Sequence, residues 1–133
     1  MSVVVGYVAT PEGSAALEAA AAEAARRHVR LVVVLSERGH RFGSEQGPRL
    51  DEQADEVERR LDELDVVHEV RQTTRGRDAA DDIIAAAEGE GAQLIVIGLR
   101  RRSPVGKLLL GSNAQRILLD APCPVLAVKP AAG

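Results

Sequence analysis

Residues 94–113 read LIVIGLRRRSPVGKLLLGSN, and the fold follows from how that stretch divides. Leu94-Ile95-Val96-Ile97 is a short, β-branched apolar run closed by Gly98, continuous rather than alternating, which is the pattern of a buried strand. A strongly basic turn follows, with Arg100, Arg101, Arg102, Pro104, Gly106 and Lys107. Gly111-Ser112 then opens a segment, Asn113 to Leu119, whose apolar residues have helical spacing. In a parallel α/β fold this order sets a helix N-terminus, with its free N–H groups and partial positive charge, beyond the carboxyl end of a strand. The guest predicted there is a phosphate.

Outward from that stretch the same alternation recurs. Val3-Val4-Val5-Gly6-Tyr7-Val8 and Leu31-Val32-Val33-Val34-Leu35 are two more continuous apolar runs, as expected of parallel strands covered on both faces. Between them Thr10 caps and Pro11 starts an Ala-rich helix ending at Arg26-Arg27-His28, cations that suit its negative end. Ser36 to Pro48 is polar and Gly-rich and predicts a mobile, lid-like loop. Leu50, Ala54, Val57, Leu61 and Leu64 form one apolar stripe on the next helix. Val66 to Arg71 mixes polar residues into a short strand suited to a sheet edge. Asp78 and Asp81-Asp82 begin a helix through Glu88, Gly89 to Gly91 stop it, and Val125-Leu126-Ala127-Val128 is the last strand.

Five strands alternating with four helices imply a doubly wound three-layer α/β sandwich with a five-stranded parallel sheet. With the first strand central the order is 3-2-1-4-5, Rossmann-like, and the switch point brings Ala9-Thr10 beside the Gly98 loop. The 133 residues fit one domain, 1–133. Aromatics at 2% leave no platform for stacking bases, and a net charge of −3 argues against nonspecific attraction to nucleic acid or anionic membranes. No run approaches the roughly 20 apolar residues of a membrane span, and no leader precedes the first strand, so a cytoplasmic address is expected. His28, His40 and His68 stand far apart, lone Cys123 reads as a buried, inert thiol, and no structural metal is expected.

Gly98, two residues, Arg101, nine residues and Gly111-Ser112 resemble the G-x2-G-x9-G-[S/T] nucleotide signature of the universal stress protein family, with Arg101 at the second glycine. TPEG (residues 10–13), EGAQLIVIG (90–98) and KLLLGSNAQRILLDAPCPVLAVKP (107–130) are similar to the same family, so the resemblance spans the chain. It implies an adenine-nucleotide-binding, usually dimeric, stress-response protein that pairs its last strand, Val125 to Val128, across a two-fold axis. Carried residue by residue, it implies the ribose by Gly98-Leu99, the phosphates by the loop with Arg101 and Arg102 and by Gly111, Ser112 and Asn113, and the adenine by Val34. Val8, Ala9 and Thr10 line the opposite side. Two residues depart from the pattern: Val8 stands where ATP-binding members commonly carry Asp, and Arg101 puts a Cβ where backbone approaches phosphate, although its guanidinium can pair with phosphate oxygens.

Each motif has a bland counterpart. Gly98 can simply end a strand, Ser112 with Gln115 spells a capping box, Thr10 is first a helix cap, and the arginines can be a solvated charge run. Gly106-Lys107 is no P-loop, because Arg101 replaces its first glycine and Leu108 its hydroxyl residue. Gly89-Glu90-Gly91 follows a helix rather than a strand, the reverse of a dinucleotide fingerprint. No catalytic residue set and no acid to hold Mg²⁺ are found near the crevice. The first reading is an ATP-binding or related adenine-nucleotide-binding regulatory module; the alternatives are a dimeric adaptor without nucleotide and a slow ATP hydrolase.

Overall fold

The computed structural model describes residues 1–36, 50–73, 78–100 and 111–130. β1 (Ser2–Gly6), α1 (Pro11–Arg27), β2 (Arg30–Ser36), α2 (Leu50–Glu63), β3 (His68–Thr73), α3 (Ala79–Gly89), β4 (Ala92–Gly98), α4 (Ser112–Asp120) and β5 (Val125–Val128) follow in chain order. The strands pair in parallel in the order β3-β2-β1-β4-β5. The winding reverses between β1 and β4, as the sequence predicts.

Alternation along each strand builds the three layers. Val3 and Val5 of β1 pack with Leu17, Ala20 and Ala24 of α1 and with Val57 and Leu61 of α2. Val4 points the other way, with Val32, Val34, Ile95 and Ile97, onto Ile83 and Ala87 of α3 and Ile117 of α4. Both faces of the central strands are therefore apolar, which is why those runs do not alternate in sequence. Ala at positions 16, 20, 21 and 24 of α1 is buried and brings that helix close to the sheet.

Helix ends follow local chemistry. Thr10 caps α1, its Oγ1 accepting from the Gly13 N–H at 3.0 Å, and Pro11 takes the first helical position. His28 closes the helix in the left-handed region at φ 57°, its N–H turned back to the last-turn carbonyls. The Ser112–Gln115 capping box does not form: the cap is Gly111, and Ser112 already lies in the first turn of α4.

Strand bounds shift where side chains meet the sheet edge. β1 ends at Gly6 rather than Val8, although the Tyr7 N–H still donates to the Val34 carbonyl at 3.1 Å. β2 extends through Ser36, which is buried and belongs to the strand rather than to the loop expected over Ser36 to Pro48; residues 37–49 lie outside the described residues. β3 is an edge strand as expected, but runs from His68 to Thr73 and leaves Val67 exposed. Among the described residues no helix is long and apolar enough to cross a membrane.

Candidate functional site

A cleft of about 220 Å³ opens beyond the carboxyl ends of β1, β2 and β4, at the switch point. Gly6, Tyr7 and Val8 form its floor, Glu12 and Gly13 of α1 one wall, and Val34, Ser36, Ala79 and Ile83 the end beneath β2. Ile97 and Gly98 of β4, with Asn113, Ala114 and Ile117 of α4, form the other end.

Two glycines set its shape. The first turn of α1 passes so near the chain after β1 that a Cβ on Gly13 would stand 1.8 Å from the Val8 carbonyl oxygen. A Cβ on Gly98 would stand 2.3 Å from the Glu12 carbonyl oxygen. Gly98 is thus required by packing against α1, whatever the cleft holds, and the same close approach puts it in the wall.

The expected site residues divide between wall and support. Val8, Val34, Gly98 and Asn113 line the cleft. Thr10 supports the wall instead, with its hydroxyl taken by the Gly13 N–H. Leu99 packs under the sheet, and its N–H donates to the Val128 carbonyl at 2.7 Å. Ala9, Gly111 and Ser112 are on the rim: Ala9, Gly111, Ser112 and Asn113 are all exposed. The first N–H groups of α4 lie outside its intrahelical ladder, and Gly111 accepts the first helical bond from the Gln115 N–H at 3.0 Å. Arg101 and Arg102, with the rest of 101–110, lie outside the described residues.

Acidic groups that the sequence did not place stand at the cleft. Glu12 is in the wall with its carboxylate 3.8 Å from Arg100 Nε, which corrects the expectation that no acid lies near the crevice. Behind the β2 end, Ser36 Oγ donates to Asp82 Oδ2 at 2.9 Å and Thr73 Oγ1 donates to the same oxygen at 2.7 Å. Asp82 and Ser36 are both buried. In sequence Ser36 read as the first residue of a polar loop; its partnership with Asp82, distant in sequence, carried no sequence signal.

A second cluster lies away from the cleft. Glu58 and Asp62, one turn apart on α2, meet His68 of β3, with Nε2 2.8 Å from Glu58 Oε2 and 3.8 Å from Asp62 Oδ1. The three offer ligand atoms within 4.8 Å of one another, a grouping that their spacing in the sequence did not show. Nδ1 lies 2.7 Å from the Val66 carbonyl oxygen. Burial disfavours the charged ring, yet the Val66 carbonyl, Glu58 and Asp62 outweigh it and raise the His68 pKa above its ordinary value. Cys123 is half-buried against the sheet rather than fully buried, and burial pushes its thiol up, toward the unreactive neutral form.

A doubly wound parallel sheet with a mostly apolar cleft at its switch point, and a helix N-terminus at one end of that cleft, defines a Rossmann-like α/β domain. The universal stress protein family model matches residues 1–129. A universal stress protein from Mycolicibacterium smegmatis is 47% identical over 128 residues, which cover 96% of this chain and 97% of the relative. The solved universal stress protein of Archaeoglobus fulgidus superposes with a TM-score of 0.75 at 32% identity, over 97% of this chain and 98% of the other. A universal stress protein of the same organism solved in complex with dAMP gives a TM-score of 0.70 at 27% identity, over 97% and 98% of the two chains. The chain belongs to the universal stress protein family.

Proposed function

We propose that this protein is an adenine-nucleotide-binding regulatory module of the stress response, holding ATP or a related nucleotide in the switch-point cleft. The observation that carries the reading is the make-up of that cleft: an apolar pocket under β2 and β1 joined to the exposed N-terminus of α4. The first takes the body of a base, the second an anionic tail. The related protein solved with dAMP supports the same ligand class. Gly111, Ser112 and Asn113 then meet the phosphates, Gly98 and Leu99 border the ribose, and Arg101 and Arg102 supply counter-charge in place of a protein-held Mg²⁺.

Excess absorbance at 260 nm in protein purified without added ligand, with the ligand identified by mass, tests the reading directly. Calorimetric titration of ATP with and without Mg²⁺, into the wild type and Arg101→Gly, separates two meanings of the departure at 101. A gain in affinity shows that Arg101 obstructs the site; a loss shows that its guanidinium replaces backbone contacts.

One observation favours a second reading. Val8 faces the cleft where ATP-binding relatives commonly present Asp, so an anchor for the ligand is missing. If no adenine nucleotide binds at millimolar concentration, the adaptor reading replaces the first. We further propose a homodimer through β5, which ends the sheet with Leu126 38% exposed and a free edge for pairing. Sedimentation at micromolar concentration should show a dimer; a monomer overturns this.

A further inference from the structure

Among the described residues, the β2 end of the cleft carries one polar side chain in an apolar wall. Val34, Ala79 and Ile83 surround Ser36, which is only 8% exposed. Its hydroxyl has a single proton, and that proton is committed to Asp82 Oδ2 at 2.9 Å. Thr73 Oγ1 donates to the same oxygen at 2.7 Å, so two hydroxyls converge on one oxygen of Asp82. With its proton turned inward, Ser36 offers the cleft only lone pairs. The wall is therefore a fixed acceptor, suited to a ligand that brings an N–H and hostile to one that brings another oxygen.

The orientation of a nucleotide follows from the two ends of the cleft. At about 220 Å³ it is smaller than the roughly 300–1,000 Å³ of pockets that enclose a whole small molecule, so it takes in the apolar part and leaves the charged part outside. The α4 N-terminus lies at the β4 end and draws the anion there. The base is left with the β2 end, against Ser36.

We propose that Ser36, oriented by Asp82, determines base specificity, accepting a hydrogen bond from the exocyclic amino group of adenine and rejecting a purine with an oxo group at that position. The inference rests on the nucleotide reading above and adds the group that chooses the base. Asp82 is a positioning residue: it does not touch the ligand but sets which way the serine proton points.

Calorimetric titration with AMP, IMP and purine riboside monophosphate tests this, since the three differ in carrying an amino group, an oxo group or hydrogen at one ring carbon. The wild type should bind AMP about tenfold more tightly than either of the others, the value of one desolvated hydrogen bond. In Ser36→Ala the AMP affinity should fall to that of purine riboside monophosphate, which itself should not change. Thr73→Val removes the other hydroxyl from Asp82 without touching the cleft; it should lower the thermal midpoint yet keep the AMP preference, which separates specificity from folding. Should Ser36→Ala fail to fold, the wild-type series alone decides. Equal binding of the three ligands, or equal weakening of all three in Ser36→Ala, overturns the inference and leaves the nucleotide reading standing. Binding of none overturns both.

Discussion

The two ends of the cleft are built in opposite ways. At the β2 end, Ser36 and Thr73 both donate to Asp82 Oδ2, with Ser36 and Asp82 buried and Thr73 half-buried. At the β4 end, Gly111, Ser112 and Asn113 are exposed, and the first N–H groups of α4 stand outside the helix ladder. The first end is organised before any ligand arrives, so it can discriminate between ligands. The second depends on what comes to it, so it can attract but discriminates little. On the proposed nucleotide reading, selectivity belongs to the β2 side of β1 and charge attraction to the N-terminus of α4 on the β4 side.

The largest way to break this arrangement is at Gly13, whose first-turn position couples α1 to the floor between both ends. Gly13→Val should cost more than about 3 kcal/mol, because the added atoms meet the Val8 carbonyl and not a flexible side chain. Urea denaturation would read this loss, and ligand affinity should fall at both ends together.

A smaller change should separate the ends. Asp82→Ala strips the acceptor from two buried or half-buried hydroxyls and should cost about 2 kcal/mol in urea denaturation. It should also erode the preference for an amino-bearing base. Inorganic phosphate, which engages only the α4 end, should bind this variant as it binds the wild type.

At the other end Ser112→Ala sharpens the contrast. Read as a cap, Ser112 would be worth about 1 kcal/mol. With Gly111 as the cap and Ser112 exposed in the first turn, the stability change should stay within about 0.5 kcal/mol while nucleotide affinity falls without change in base preference. Thermal melting and calorimetry on the same protein distinguish the two roles.

The smallest effect lies outside the cleft and serves as its control. The folded-state pKa of His68 is raised above 6.5, so the stabilisation from its charged form is fully present below that value and is lost as pH rises through the folded-state pKa. Against His68→Gln, the wild type should be relatively more stable at pH 5 than at pH 8. Nucleotide affinity should be the same in both proteins, since the cluster with Glu58 and Asp62 does not reach the cleft.

Some of this was legible in the chain because the causes are local. Four runs of Val, Leu and Ile can be nothing but strands in a layered fold, Thr10-Pro11 announces a helix by the needs of its first N–H groups, and the alternation of these elements leaves one sheet order with its switch between β1 and β4. The same logic placed Gly98 and the start of α4, with Asn113, at the cleft, and the family resemblance added Val34. Where sequence reading went astray, a neighbour remote in sequence had the deciding voice. Ser36 looked like the start of a loop until pairing with Thr73 extended β2 over it. Ser112 is a local exception: it looked like a cap, and the backbone places its neighbour Gly111 there. Gly98 allowed either a turn or a ligand contact, and α1 crossing above it made it a packing glycine in a cleft wall. Periodicity and capping depend on residues within a turn or two of each other, so the sequence alone determined the elements and their order. Which hydroxyl faces the cleft, and which way its proton points, depends on Asp82 arriving from 46 residues away, and only the tertiary structure decides that.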